Sequence, residues 1–239
     1  MLHTLRNLPL AAGPLRSAAT PTPRPPRARR GFTLLESALA TVIIAVGVLA
    51  LIDAQTVMSR ANNWSTQAAT ATYLANELRE RMRTLPRHDA VTGLIATTGS
   101  GGAVTVEGWG PEENEVNAGD YDDIDDFAGR VFGLGGTNAG PIDANSRIIT
   151  EVDEAGNVLT SEEGVEVAMQ GWSQAVTVEK VEPSNFSVVR AVNYSRSATG
   201  GTPALAVDQF PLRVTVTVNY MGPLDAEPRE MARIVWIVP

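Results

Sequence analysis

A chain of 239 residues with no cysteine and only two histidines, His3 and His88, excludes disulfides and thiolate chemistry and leaves too little for a His-based metal site or catalytic triad. Its length allows one or two domains with a sizeable core. The net charge of −8 is unevenly spread. Six arginines and no acid precede Phe32, so the remainder sets 13 basic residues against 27 acidic ones, a balance of −14 that argues against nucleic acid as a partner.

Residues 1–31 read as a basic, unstructured leader. Pro21-Thr-Pro-Arg-Pro-Pro-Arg-Ala-Arg-Arg30 breaks any helix and has nothing to bury. Next comes Gly31-Phe32-Thr33-Leu34-Leu35-Glu36 and the uncharged apolar run Ser37–Ile52, closed by Asp53. Leu34 to Ile52 would make about 28 Å of helix at ~1.5 Å per residue, enough to span a bilayer core. Basic residues before an apolar span hold that end in the cytoplasm. A secretory signal would place its small-residue cleavage site after the apolar run, where Asp53-Ala-Gln-Thr56 matches poorly; a simple signal anchor is the bland alternative.

The order of basic flank, Gly-Phe-Thr-Leu-x-Glu and apolar run resembles the processing site of type IV prepilins and of the pseudopilins of type II secretion. The resemblance covers about two dozen residues. It implies that a prepilin peptidase cuts between Gly31 and Phe32, that Phe32 is N-methylated, and that Glu36 neutralises the free amine of a neighbouring subunit during filament assembly. It also implies other pilins or pseudopilins and an inner-membrane assembly platform as partners. The expected location is the inner membrane, single-pass, with the leader cytoplasmic and the C-terminal head periplasmic, and then a pilus or pseudopilus. The leader is long for this family, which allows a start codon further downstream. A carboxylate in a membrane segment is costly, ~2.5–3.5 kcal/mol for Asp at the helix centre on insertion scales, so its presence asks for a use; snorkelling to water is the bland account.

Residues 32–53 form the transmembrane or assembly half of a long helix, and 54–85 an amphipathic half. Val57, Ala61, Trp64, Ala68, Ala71, Ala75, Leu78, Met82 and Leu85 make one stripe of small and apolar residues. A two-strand coiled coil would use such a stripe, as would packing on a sheet of the same chain; the strand-rich region downstream favours the second. Arg79, Arg81, Arg83 and Arg87 oppose the negative end of the helix dipole, and Leu85-Pro86 stops the helix.

Residues 86–239 read as a globular head, loop-rich over 86–171 with a weak strand at Ala103–Glu107. Gly133-Leu-Gly-Gly-Thr-Asn138 lacks the third glycine and the flanking strand and helix of a dinucleotide loop. In Asp120-Tyr-Asp-Asp-Ile-Asp-Asp-Phe-Ala-Gly129, the carboxylates of Asp120, Asp122, Asp123, Asp125 and Asp126 could ligate a hard cation such as Ca²⁺, although the spacing is not that of an EF-hand. The alternative is a solvated acidic loop with Tyr121, Ile124 and Phe127 docked on the core. The element is also similar to one in the D-type minor pilins of mannose-sensitive haemagglutinin pilus biogenesis, a resemblance that implies a minor rather than a fibre-forming subunit and no catalytic role.

Over 172–239, strands are expected at Gln174–Val181, Phe186–Tyr194, Leu212–Tyr220 and Ala232–Val238, antiparallel because their connections are short. Ile234–Val238 is apolar on both faces, which predicts a central strand, and Trp172 and Trp236 read as core. The fold class is α+β, and the resemblance makes it a type IV pilin-like lollipop, a long N-terminal helix packed on an antiparallel sheet. The function expected is that of a structural, non-enzymatic subunit. A membrane-anchored periplasmic binding module with an acidic cation- or partner-binding loop is the alternative, and no nucleophile–base set points to an enzyme.

Overall fold

The computed structural model describes residues 33–102 and 104–239. The chain divides into two compact units, with the boundary between Ala54 and Gln55. One helix, α1 (Leu34–Met82), contributes to both.

In the first unit, α1 starts after Thr33, whose hydroxyl accepts the Glu36 N–H at 3.3 Å while its carbonyl begins the helical ladder. Thr33 thus caps the helix, and Thr33-x-x-Glu36 has the residue types of a capping box. The apolar residues that follow are exposed all round: Leu34 is 90% exposed, Ile44 65% and Ile52 52%. Among the described residues, α1 is the one helix long and apolar enough to cross a membrane.

In the second unit the same helix is one-sided. Ala71, Leu74, Ala75, Leu78 and Met82 are fully buried, three and four residues apart, and they cover the sheet. The expected stripe holds here and gains Leu74, but further toward the N-terminus Val57 and Trp64 stay exposed. The helix ends at Met82, one turn before Pro86.

The sheet contains β3 (Val131–Gly133), β4 (Trp172–Glu182), β5 (Asn185–Val189), β6 (Leu212–Tyr220) and β7 (Arg229–Val238) in the order β3-β4-β6-β7, with β5 paired on β4 and all named pairs antiparallel. A separate hairpin, β1 (Ile95–Thr98) with β2 (Val104–Glu107), accounts for the weak strand expected there. The period-two pattern of β6 is realised: Leu212, Val214, Val216 and Val218 are fully buried against the helix and alternate with Arg213, Thr215, Thr217 and Asn219. On the other face Arg213, directly across the ladder from Glu179, donates through Nε and Nη2 to one oxygen of its carboxylate, at 3.0 and 2.7 Å.

Two expectations are corrected. β7 is not central but lies at the end of the strand order. Ile234, Trp236 and Val238 pack on the core, whereas Val235 is 53% exposed, so the second apolar face of β7 goes uncovered. The strand expected over Phe186–Tyr194 stops at Val189. Beyond it the chain turns, Tyr194 donating its N–H to Ala191, and the carbonyls of Val192 and Tyr194 accept the Lys180 ammonium. Lys180 is 1% exposed, and burial pushes its amine down to about 8, against a small opposing pull from Asp208. Between about pH 8 and its ordinary value near 10.4 the unfolded lysine then binds more protons than the folded one, so this group makes stability rise with pH. Denaturant titrations of wild type and Lys180→Met are expected to diverge across that window, only wild type showing the Lys180 contribution; parallel curves would show that the amine titrates normally.

The middle of the chain is more ordered than loops. Bridges pair Ile142 with Ile148, Val152 with Val158, Thr160 with Glu166 and Thr150 with Ala168. Three turns build this ladder: Asp143-x-x-Ser146, Asp153-x-x-Gly156 and Ser161-x-x-Gly164. Asp143 and Asp153 each accept two backbone N–H groups from the residues after them, and Ser161 takes the Val165 N–H. Gly133-Leu-Gly-Gly-Thr-Asn138 follows the short β3, but it turns back on that strand, and a Cβ on Gly136 would lie 2.1 Å from the Val131 carbonyl.

Candidate functional site

Two regions carry chemistry. The first is the start of α1. Gly31 and Phe32 lie outside the described residues. Glu36 stands in the first turn, exposed, at the positive end of the helix dipole, where a carboxylate is favoured. It is the one acid before Asp53 in a helical stretch that is otherwise uncharged.

The second region is an acidic pocket in the head. Leaving α1, the chain is pinned by Arg81, which donates to the Tyr121 carbonyl at 2.7 Å and to the Ser146 hydroxyl at 2.8 Å. The Pro86 carbonyl accepts the Ile124 N–H at 3.0 Å. Tyr121, Ile124 and Phe127 are buried in the core as expected, with the Tyr121 and Phe127 rings edge to face at 5.1 Å. Three of the four aspartates between them are not solvated, which corrects the bland reading of this loop in part; Asp122 stays exposed. Asp123, Asp125 and Asp126 are fully buried, because the short 3₁₀ turn Asp125–Phe127 is held inward by its own aromatic anchors.

Each carboxylate has a distinct setting. Asp125 faces the His88 ring nitrogen and accepts the Gly110 N–H at 2.9 Å. Asp120 is exposed and caps Asn117 through its N–H. Asp123 and Asp126 exchange backbone bonds: Asp123 Oδ1 accepts the Asp126 N–H, and Asp126 Oδ2 accepts the N–H groups of Asp122 and Asp123, all at 3.1 Å. The second oxygens, Asp123 Oδ2 and Asp126 Oδ1, have no hydrogen-bond partner, and neither does Glu112 Oε1. Glu115 Oε2 accepts the Glu112 N–H at 3.0 Å and completes a second acidic turn beside the first.

Burial pushes Asp123 up to about 9, and the charges of Asp125 and Asp126 push in the same direction. Asp126 is raised to about 7, first by burial, with its bond to the Asp123 backbone as the main opposing effect. Glu112 is raised to about 7 by burial and by its neighbour Glu115. Oxygen ligands fall into two sets, Glu112–Glu115–Asp126 and Asp122–Asp123–Asp126, and within each set one ligand atom per residue lies within 4.8 Å of the others. Of the five aspartates singled out in the sequence, the structure therefore gathers Asp122, Asp123 and Asp126 and turns Asp120 and Asp125 to other partners. Glu112 and Glu115 are the residues that sequence reasoning missed. They stand outside the dense aspartate run, in Pro111-Glu-Glu-Asn-Glu115, and only folding brings them to Asp126. His88 and Arg81 were likewise read without their loop contacts.

The family model described as the prokaryotic N-terminal methylation motif matches residues 26–52. No curated protein and no solved structure matches the chain. The motif supports a type IV pilin-like subunit and implies cleavage by a prepilin peptidase and assembly with other pilins. With the apolar start of α1 it also supports a single-pass membrane anchor, and it points to a structural rather than an enzymatic role.

Proposed function

We propose that this protein is a structural minor pilin or pseudopilin of a type IV pilus or a type II secretion pseudopilus. The observation that carries the reading is the methylation motif at residues 26–52, placed where an exposed apolar helix opens with a single carboxylate and runs on into a folded α+β head. In this reading residues 1–31 are a leader held in the cytoplasm by its arginines, 32–53 the membrane and assembly segment, 54–85 the amphipathic helix, and 86–239 a periplasmic head, loop-rich over 86–171 and sheet-bearing over 172–239. Prepilin peptidase cleaves between Gly31 and Phe32, Phe32 is N-methylated, and the mature subunit passes through an inner-membrane assembly platform. The acidic run 120–129 and its likeness to D-type minor pilins of mannose-sensitive haemagglutinin pilus biogenesis favour a minor subunit.

Mass spectrometry of the membrane-extracted chain tests this reading. The mature form is expected to begin at Phe32 with a methyl group on its amine. Gly31→Leu is expected to leave the leader attached on nearly all of the chain, since cleavage next to a small residue does not tolerate a branched one. An intact leader on the wild-type protein, or normal processing of Gly31→Leu, would overturn it. A second reading, a membrane-anchored binding module, is favoured by the buried acidic pocket. Fractionation separates the two: a binding module stays with the membrane, whereas a pilin subunit is also recovered in sheared filaments.

A further inference from the structure

We infer that the head binds one Ca²⁺ ion between its two acidic turns, through oxygens of Glu112, Glu115, Asp122, Asp123 and Asp126, independently of whether the chain enters a filament. An acidic cluster alone would not support this, since exposed carboxylates gather on many surfaces. Here Asp123 and Asp126 are fully buried, and each keeps one oxygen free of any hydrogen bond. The partly buried Glu112 adds a third such oxygen, Oε1. Leaving a buried acceptor unsatisfied is unfavourable, and an unpaired buried carboxylate more so.

The side chains nearby do not resolve the problem. Among the described residues, none of these five carboxylates forms an ion pair. Two arginines of this region donate to main-chain carbonyls: Arg81 to that of Tyr121, and Arg130 Nε to that of Asp126 rather than to its carboxylate. The half-met aspartates therefore call for a cation from solution.

The ligand chemistry selects its class. Every candidate ligand is a carboxylate oxygen, which suits a hard cation; Zn²⁺ prefers nitrogen or sulfur, and neither set contains a histidine. Ca²⁺ takes oxygens at ~2.3–2.6 Å, so two of its ligands stand up to about 5 Å apart, in keeping with sets whose atoms lie within 4.8 Å of one another. Mg²⁺ demands a tighter octahedron and keeps several waters, a poor match for a pocket with this many buried carboxylates. Asp126 belongs to both sets and is the natural centre. A Ca²⁺ ion held there ties the 112–115 turn to the 122–126 turn, and Arg81, through the Tyr121 carbonyl, ties that second turn to α1.

The full-length protein, purified in detergent and stripped with EDTA, tests the inference by calorimetric titration and thermal unfolding with CaCl₂, with MgCl₂ as the comparison. Saturable binding of one Ca²⁺ per chain is expected, with Tm raised about 5–10 °C at a hundredfold excess over Kd, and with Mg²⁺ at least tenfold weaker. Asp126→Asn should lose the Ca²⁺ shift and Asp120→Asn should keep it. Should Asp126→Asn fail to fold, Glu112→Gln serves instead, because Glu112 is only partly buried and lies outside the Asp123–Asp126 turn; it should weaken Ca²⁺ at least tenfold while its Tm in EDTA is equal to or above that of wild type. Absence of Ca²⁺ binding by the wild-type chain at millimolar concentration overturns the site, and so does an undiminished Ca²⁺ response in Glu112→Gln.

Discussion

Glu36→Ala is expected to leave leader removal intact and to abolish recovery of the chain in sheared filaments. The reasoning starts from the cost of a charge in an apolar helix. Glu36 is the lone acid between Gly31 and Asp53, and the residues around it are exposed aliphatics that, in the proposed subunit, lie in lipid and then among like helices. If maturation creates a free ammonium on Phe32, each buried copy needs an opposite charge from a neighbour. Removing one partner of a buried ion pair costs about 3–5 kcal/mol. At ~1.4 kcal/mol per tenfold, this weakens each subunit contact by two to three orders of magnitude or more. In the proposed reading peptidase recognition rests on the Gly31–Phe32 junction, so the mutant should still be processed. Glu36 also sits in the first turn after the Thr33 cap, and loss of a favourable first-turn carboxylate alone is worth only ~0.3–1 kcal/mol, too little to block assembly. Glu36→Gln separates the two accounts: it should fail like alanine if charge pairing is required. Normal filament recovery of Glu36→Ala, judged by immunoblot of sheared and membrane fractions, would remove the pairing role.

Gln174→Ala is expected to destabilise the head by about 3–5 kcal/mol, from a cavity and from stranded polar groups. Gln174 lies on β4 with its side chain fully buried. Its Oε1 accepts the Ile142 N–H at 2.8 Å, and its Nε2 donates to the Ile142 carbonyl at 3.0 Å and to the Leu74 carbonyl at 2.8 Å. One side chain thus joins the sheet, the helix and the start of the bridged ladder. The Ile142 groups have nowhere else to turn once the amide is gone. Gln174→Leu preserves most of the volume and isolates the polar part, for which ~1–3 kcal/mol is expected. Urea unfolding of the three proteins measures both parts; wild-type midpoints for both variants would show that the amide is incidental.

Much of this architecture was legible locally. Helical spacing marked α1, and the alternation of Leu212 through Tyr220 marked β6, because each pattern is a property of consecutive residues on one element. The ladder at 142–168 reads as loops in the sequence, because its turns recur at a short period and its strands are single bridges. The position of β7 was not. Two apolar faces suggest a buried strand, yet whether both are covered depends on which strand lies beside it, a long-range matter. The acidic run showed the same limit: composition revealed five candidate ligands, while which of them turn inward depended on the aromatic anchors Tyr121 and Phe127 and on Arg81 reaching across from the helix.

The sequence by itself determined the basic stretch before Phe32, the motif at residues 26–52, the long helix with one early carboxylate, and an acidic α+β head, since motif order, charge and periodicity are all local signals. Only the tertiary structure decided that Asp123 and Asp126 are buried, that Asp120 and Asp125 have other partners, and that Glu112 and Glu115 join the pocket. Burial and the meeting of residues distant in sequence are consequences of packing, and packing is where an acidic stretch becomes either a solvated loop or a site.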